Sequence, residues 1–170
     1  MAPSIIDSLL GITTSQQQKN INSGEVHALW SALVVRYDIR EANDIYENFA
    51  NDVEWKVILA FGKRILDEEI TQIENQMDKL GIALPPRPPK SINTPGNTEV
   101  MRDEFMFRTV YAGVQNFLEE HLRGLRMMQN QNLRDMLWAM MKTEMNWYFK
   151  LSDYGRLKGW LFIPPEYNPA

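Results

Sequence analysis

Cysteine is absent from all 170 residues, which excludes disulfides, thiolate metal sites and a cysteine nucleophile. An excess of positive charge is missing too. Eighteen Lys and Arg stand against 22 Asp and Glu, for a net charge of −4, so nothing draws the chain to nucleic acid or to an anionic membrane. No apolar run reaches the roughly 18 residues that a bilayer span requires. Histidine is scarce, with two in the chain. No phosphate loop, dinucleotide fingerprint, HExxH, EF-hand loop or nucleophile elbow occurs, and nothing marks a serine as the nucleophile of a Ser-His-Asp triad. The start of the chain, Ile5 to Ile12, is apolar but broken by Asp7 and lacks a basic leader. It reads as a short amphipathic helix rather than a secretory signal.

What is present is an ordinary globular composition, 44% hydrophobic and 24% charged, in a length that suits one domain. Residues 1–22 read as an N-terminal segment and linker, 23–159 as the folded body and 160–170 as an extended tail. Four apolar stripes with the 3.6-residue helical period fill the body. The first, over about 24–49, carries Val26, Leu29, Trp30, Leu33, Tyr37 and Ile45, with Ser23 as its expected N-cap. Asn51-Asp52 reads as a break or a cap, after which a second run begins. The second runs through Trp55, Leu59, Leu66, Glu69, Ile73 and Met77 to a stop at Gly81. Thr98 is the expected cap of the third, which holds Phe107, Val114, Phe117, His121 and Leu125. The fourth follows Gln129-Asn130-Gln131 and places Leu137, Met140, Glu144, Trp147 and Leu151 in line, ending near Gly159.

Residues 81–98 contain Pro85-Pro86-Arg87-Pro88-Pro89 and cannot be helical. Helices of 25–30 residues are about 40 Å long. An 18-residue connection, partly polyproline II, spans roughly 55 Å, enough to return along the whole bundle. The second and third helices are therefore expected to run parallel, with a crossover between two hairpins. This is an all-α, ferritin-like four-helix bundle. The proline run also matches ligands of proline-reading domains, but a stiff crossover accounts for it.

Bundles of this connectivity commonly hold two metal ions, using a Glu from each of two helices and a Glu-x-x-His pair from each of the others. No Glu-x-x-His occurs here. Glu144 is followed at the third position by Trp147, whose indole nitrogen offers no lone pair. The polar groups in register with the core are Glu69, His121 and Glu144, the candidate ligands of a degenerate metal or redox site. Helical rise sets Glu69 about 25 Å and Glu144 about 22 Å below the first turn, His121 near 33 Å, and Leu29 and Leu33 opposite Glu69. The expectation is a pair of carboxylates without a metal cage. Glu25 and His27 read as capping or solvent-facing groups. Eight of the ten methionines lie at 101, 106, 127, 128, 136, 140, 141 and 145 and read as core filling, with 127, 136 and 145 at the stripe edges. A carrier cavity lined by Trp30, Trp147 and methionines is a further reading.

Three segments carry a resemblance: Ser-Gly-Glu-Val-His-Ala-Leu-Trp (23–30), Gly-Ile-Ala-Leu-Pro (81–85) and Leu-Lys-Gly-Trp-Leu-Phe-Ile-Pro-Pro-Glu-Tyr (157–167). In their order and spacing the chain resembles, from about residue 23 onward, an uncharacterised ferritin-like family of endospore-forming bacteria. Its members are described as putative spore coat proteins related to the coat protein F domain. The resemblance implies a ferritin-like bundle with no established catalytic residues. It also implies a link to the spore coat or its assembly. The expected role is that of a structural or assembly protein made in the bacterial cytoplasm and laid down on the spore. It would pack on other coat proteins or further copies of itself through the apolar N-terminal segment, the tail at 160–167 and the methionine-rich edges of the third and fourth helices. No cofactor follows from it, and no family site can be carried over residue by residue.

Overall fold

The computed structural model describes residues 20–88 and 101–164. The apolar N-terminal segment, the proposed cap Thr98 and the tail from Pro165 onward lie outside these residues. Four helices account for the described fold: α1 (Ser23–Phe49), α2 (Val53–Lys79), α3 (Asp103–Met127) and α4 (Gln131–Lys158). Helix α1 packs on α2 and on α3, and α3 packs on α4.

Three of the four helices, α1, α2 and α4, begin where a side-chain acceptor meets free backbone N–H groups; α3 follows Arg102, which makes no side-chain cap. Helix α1 is capped by Asn22, not Ser23. Asn22 Oδ1 accepts from the Glu25 N–H at 3.0 Å, and Glu25 Oε2 accepts from the Asn22 N–H at 2.8 Å, a reciprocal capping box. Asp52 caps α2 and Asn130 caps α4. Helix α2 ends at Gly81, at φ +69°. The Ile82 N–H reaches the Met77 carbonyl there and the Gly81 N–H reaches that of Asp78, the Schellman closure that only glycine adopts without strain. Helix α3 starts at Asp103, later than the Thr98 cap implies.

Two contacts give the topology. Asp103 accepts from the Asn51 and Asp52 N–H groups at 3.0 and 2.9 Å, so α3 begins beside the α1–α2 turn. At the opposite end Glu25 Oε1 accepts from the Gln129 and Asn130 N–H groups at 2.7 and 2.6 Å, seating the start of α1 against the α3–α4 turn. Helices α2 and α3 therefore run parallel, as the crossover length requires. The crossover starts along the bundle wall. Pro85 is buried, and Arg87 clasps Glu74, which also accepts from the Tyr37 hydroxyl. The fold is the expected ferritin-like four-helix bundle.

The core is in two parts. Leu29, Leu33, Ile73, Met77, Leu133 and Met140 pack at the α3–α4 turn end. Trp55, Leu59, Met106, Phe107, Val114 and Leu151 pack at the other. Trp160 and Leu161 of the tail join this second part, with Trp160 edge-on to Trp55 and Tyr154. Phe162 and Ile163 are exposed, so the tail is anchored by its first two residues. Trp30, placed on the inner face by its spacing, is 43% exposed.

Candidate functional site

Between the two core halves lies a buried polar layer contributed by all four helices: Arg36, Glu69, His121 and Glu144. Arg36 was not among the candidates in the sequence, yet it organises the layer. Its Nε donates to Glu69 Oε2 at 2.8 Å, its Nη2 to His121 Nε2 at 2.8 Å, and its Nη1 to the Ala32 carbonyl one turn earlier at 3.1 Å. The Phe117 ring covers the guanidinium at 4.8 Å.

The expected heights are corrected in two places. His121 is level with Glu69 rather than two turns below it. Helix α3 begins about four residues later than its assumed cap, so His121 sits ~27 Å from the α1–α2 turn against ~26 Å for Glu69. The level opposite Glu69 is not filled by Leu29 and Leu33 alone. Side chains on a helix lean toward its N-terminus, and the long Arg36 side chain drops from its own level, ~20 Å from the turn, onto Glu69. The sequence held a signal for this: Arg36 follows Leu33 by three and Leu29 by seven, in the apolar stripe.

The electrostatics follow from burial. His121 accepts through Nε2, so its ring proton resides on Nδ1, an atom with no hydrogen-bond partner. Burial first, then the Arg36 charge, pull its pKa down to about 3, offset in part by the Phe117 carbonyl nearby. The ring is neutral. Burial raises the Glu69 carboxyl and Arg36 opposes this; at 2.8 Å the pair is an ion pair with Oε1 left unpartnered. Glu144 is 3% exposed, and none of the described residues hydrogen-bonds its carboxyl. Burial and the Glu69 charge push it up to about 8, so it carries its proton at neutral pH.

The three sequence candidates are thus brought to one layer, but around a guanidinium. Among the described residues no group of three or more His, Asp or Glu is placed to hold a metal ion. His27 is exposed beside Ser31. Among the methionines Met77, Met106, Met128 and Met140 fill core, Met136 and Met145 are half-buried and Met127 is exposed.

Above the layer, toward the α1–α2 turn, the bundle holds a cavity of about 110 Å³. Ile39 and Ala42 of α1, Ile58 and Ile65 of α2, Val110 and Gly113 of α3, and Glu144 and Trp147 of α4 line it. Trp147 was expected there, whereas Trp30 and the methionines take no part in the lining.

The sequence profile of the family described as "Protein of unknown function (DUF3231)" matches residues 11–170. No curated protein matches the chain. A putative spore coat protein from Bacillus halodurans C-125 is similar in structure, at a TM-score of 0.80 and 19% identity over 87% of this chain and 96% of that one. A two-domain protein from Anabaena variabilis ATCC 29413, with DJ-1/ThiJ/PfpI-like and ferritin-like domains, gives 0.65 and 18% over 86% of this chain and 40% of that one. A conserved hypothetical protein from Mycobacterium tuberculosis gives 0.67 and 11% over 86% and 98%.

Proposed function

The chain belongs to the DUF3231 family of proteins of unknown function, and from that premise we propose that it is a spore coat or coat-associated structural and assembly protein with no di-metal site. The observation that carries this reading is Arg36. A bundle that loads metal presents carboxylates and histidines to an open centre. Here a permanent cation, which no accessible pH removes, already bonds Glu69 Oε2 and His121 Nε2 and stands in the centre between them.

The surface supports an assembly role. Trp30, Trp138, Phe149, Leu157 and Phe162 are large apolar side chains left exposed, suited to packing against other coat components or further copies of the chain. No helix among the described residues is long and apolar enough to cross a membrane. Synthesis in the cytoplasm followed by deposition on the spore coat fits both points.

The competing reading is a degenerate metal or redox protein using Glu69 and Glu144, favoured by the unpartnered Glu144 carboxyl. Metal content separates the two. Purified protein is incubated with iron(II) or manganese(II), freed of loose ions and assayed. We expect no ion retained in stoichiometric amount. One or two tightly held ions per chain, lost on Glu69→Ala or Glu144→Ala, would establish the metalloprotein instead. A fluorescent fusion followed through sporulation tests the location: signal on the developing spore supports the coat role, and signal confined to the mother-cell cytoplasm opposes it.

A further inference from the structure

We propose that the cavity above the polar layer is a binding site for a compact, uncharged, largely apolar molecule carrying one oxygen, of the small alcohol or ketone class, whose oxygen accepts a hydrogen bond from the Glu144 carboxyl. Three independent observations support it.

The first is the shape and lining. A cavity of roughly 150 Å³ lined by aliphatic and aromatic groups holds benzene. The present ~110 Å³, walled mainly by Ile39, Ile58, Ile65, Val110 and Trp147, fits a ring or chain of about five heavy atoms by the same measure. The second is Glu144. A buried carboxyl without a partner is costly unless something satisfies it. Glu144 is part of the cavity wall, and its raised pKa leaves it a hydrogen-bond donor at neutral pH. Arg36 and Glu69 already form a pair beside it, so the layer calls for no further charge, and a neutral acceptor suits it.

The third is Gly113. Glycine inside a helix costs about 1 kcal/mol relative to alanine, a cost usually met where a neighbour would collide with a Cβ. At Gly113 nothing lies within 4 Å of the Cβ position. No packing constraint demands glycine there, and its missing side chain leaves space on the cavity wall. Trp55, also in the lining, adds an indole N–H with no partner.

The test is titration of the full chain with cyclopentanol and with cyclopentane, followed by backbone amide NMR. Saturable shifts centred on Gly113, Val114 and Trp147 are expected with both probes. In Glu144→Leu, cyclopentanol should bind about five- to tenfold more weakly, the worth of one hydrogen bond, while cyclopentane binds at least as well. Glu144→Gln keeps a donor and should keep the alcohol. Gly113→Leu should abolish both, and the smaller Gly113→Ala should weaken both if the leucine variant does not fold. Any one of three results would overturn the proposal: no saturable shift with either probe, which would leave the space to water alone; binding undiminished in the Gly113 variants; or cyclopentanol affinity unchanged in Glu144→Leu.

Discussion

At the scale of single residues, Arg36 carries the greatest consequence. A buried ion pair contributes little net stability, because desolvating both charges offsets their attraction, but removing one partner strands the other. Arg36→Met leaves the Glu69 carboxylate and His121 Nε2 without their donor. It should cost about 3–5 kcal/mol in urea unfolding. Replacing both charges, Arg36→Met with Glu69→Leu, should restore most of that loss, since an apolar pair of similar volume avoids the desolvation cost. A double variant no more stable than Arg36→Met would show that the arginine acts through something other than this pair. His121 and Glu69 were legible in the sequence as polar residues on apolar stripes. Arg36 was hidden because arginine is ordinarily read as a surface residue whose stem alone is buried.

At the scale of elements, the helix ends and close approaches hold the bundle in register. Glu25 serves two elements at once, closing the α1 capping box and accepting from two N–H groups of the α3–α4 turn. Glu25→Ala should therefore cost about 2–3 kcal/mol. Ser23→Ala, one residue inside the true cap, should fall within about 0.5 kcal/mol of the native protein, and thermal melts of the two variants test the assignment of the cap to Asn22. The glycines make a second contrast. A Cβ on Gly155 would lie 2.2 Å from Phe107 Cζ, so the fully buried Phe107 ring fills the space that a side chain would need. Gly155→Ala should destabilise by about 1–3 kcal/mol or more, whereas Gly113→Ala should be neutral or stabilise by up to about 1 kcal/mol. Equal effects in denaturation would remove the distinction between a packed glycine and one that borders open space. Helix number, the Gly81 and Gly159 stops and the Asp52 cap could all be read from local sequence. The start of α3 could not, because Thr98 and Asp103 both offer plausible first-turn chemistry and the choice depends on Asp103 reaching the α1–α2 turn.

At the scale of the whole molecule, a polar layer between two apolar halves makes global stability depend on pH from both sides. His121, held below its ordinary value, binds its proton more readily in the unfolded chain, so its contribution is complete above about 6.5 and is lost as pH falls toward 3. Glu144, held above its ordinary value, binds its proton more readily in the folded protein. Its contribution is complete below about 4.5 and is lost as pH rises through 8. The groups facing them are Arg36 from α1 and Glu69 from α2. Melting temperature should therefore fall from mildly acidic to mildly alkaline pH, and Glu144→Gln should flatten that limb. An unchanged slope in the variant would place the Glu144 proton elsewhere.

The sequence by itself determined the four helices, their stops and the parallel run of α2 and α3. Periodicity, glycine punctuation and the reach of a proline-rich crossover are local or one-dimensional quantities. It also placed Glu69, His121 and Glu144 on inward faces, since a helical face is fixed by spacing alone. Only the tertiary structure decided what stands between them. The relative heights of helices depend on where each one starts against its neighbours, and a four-residue shift moves a side chain by ~6 Å. That shift, together with the downward lean of a long arginine, turned a suspected carboxylate pair into a guanidinium-centred layer with an apolar cavity above it.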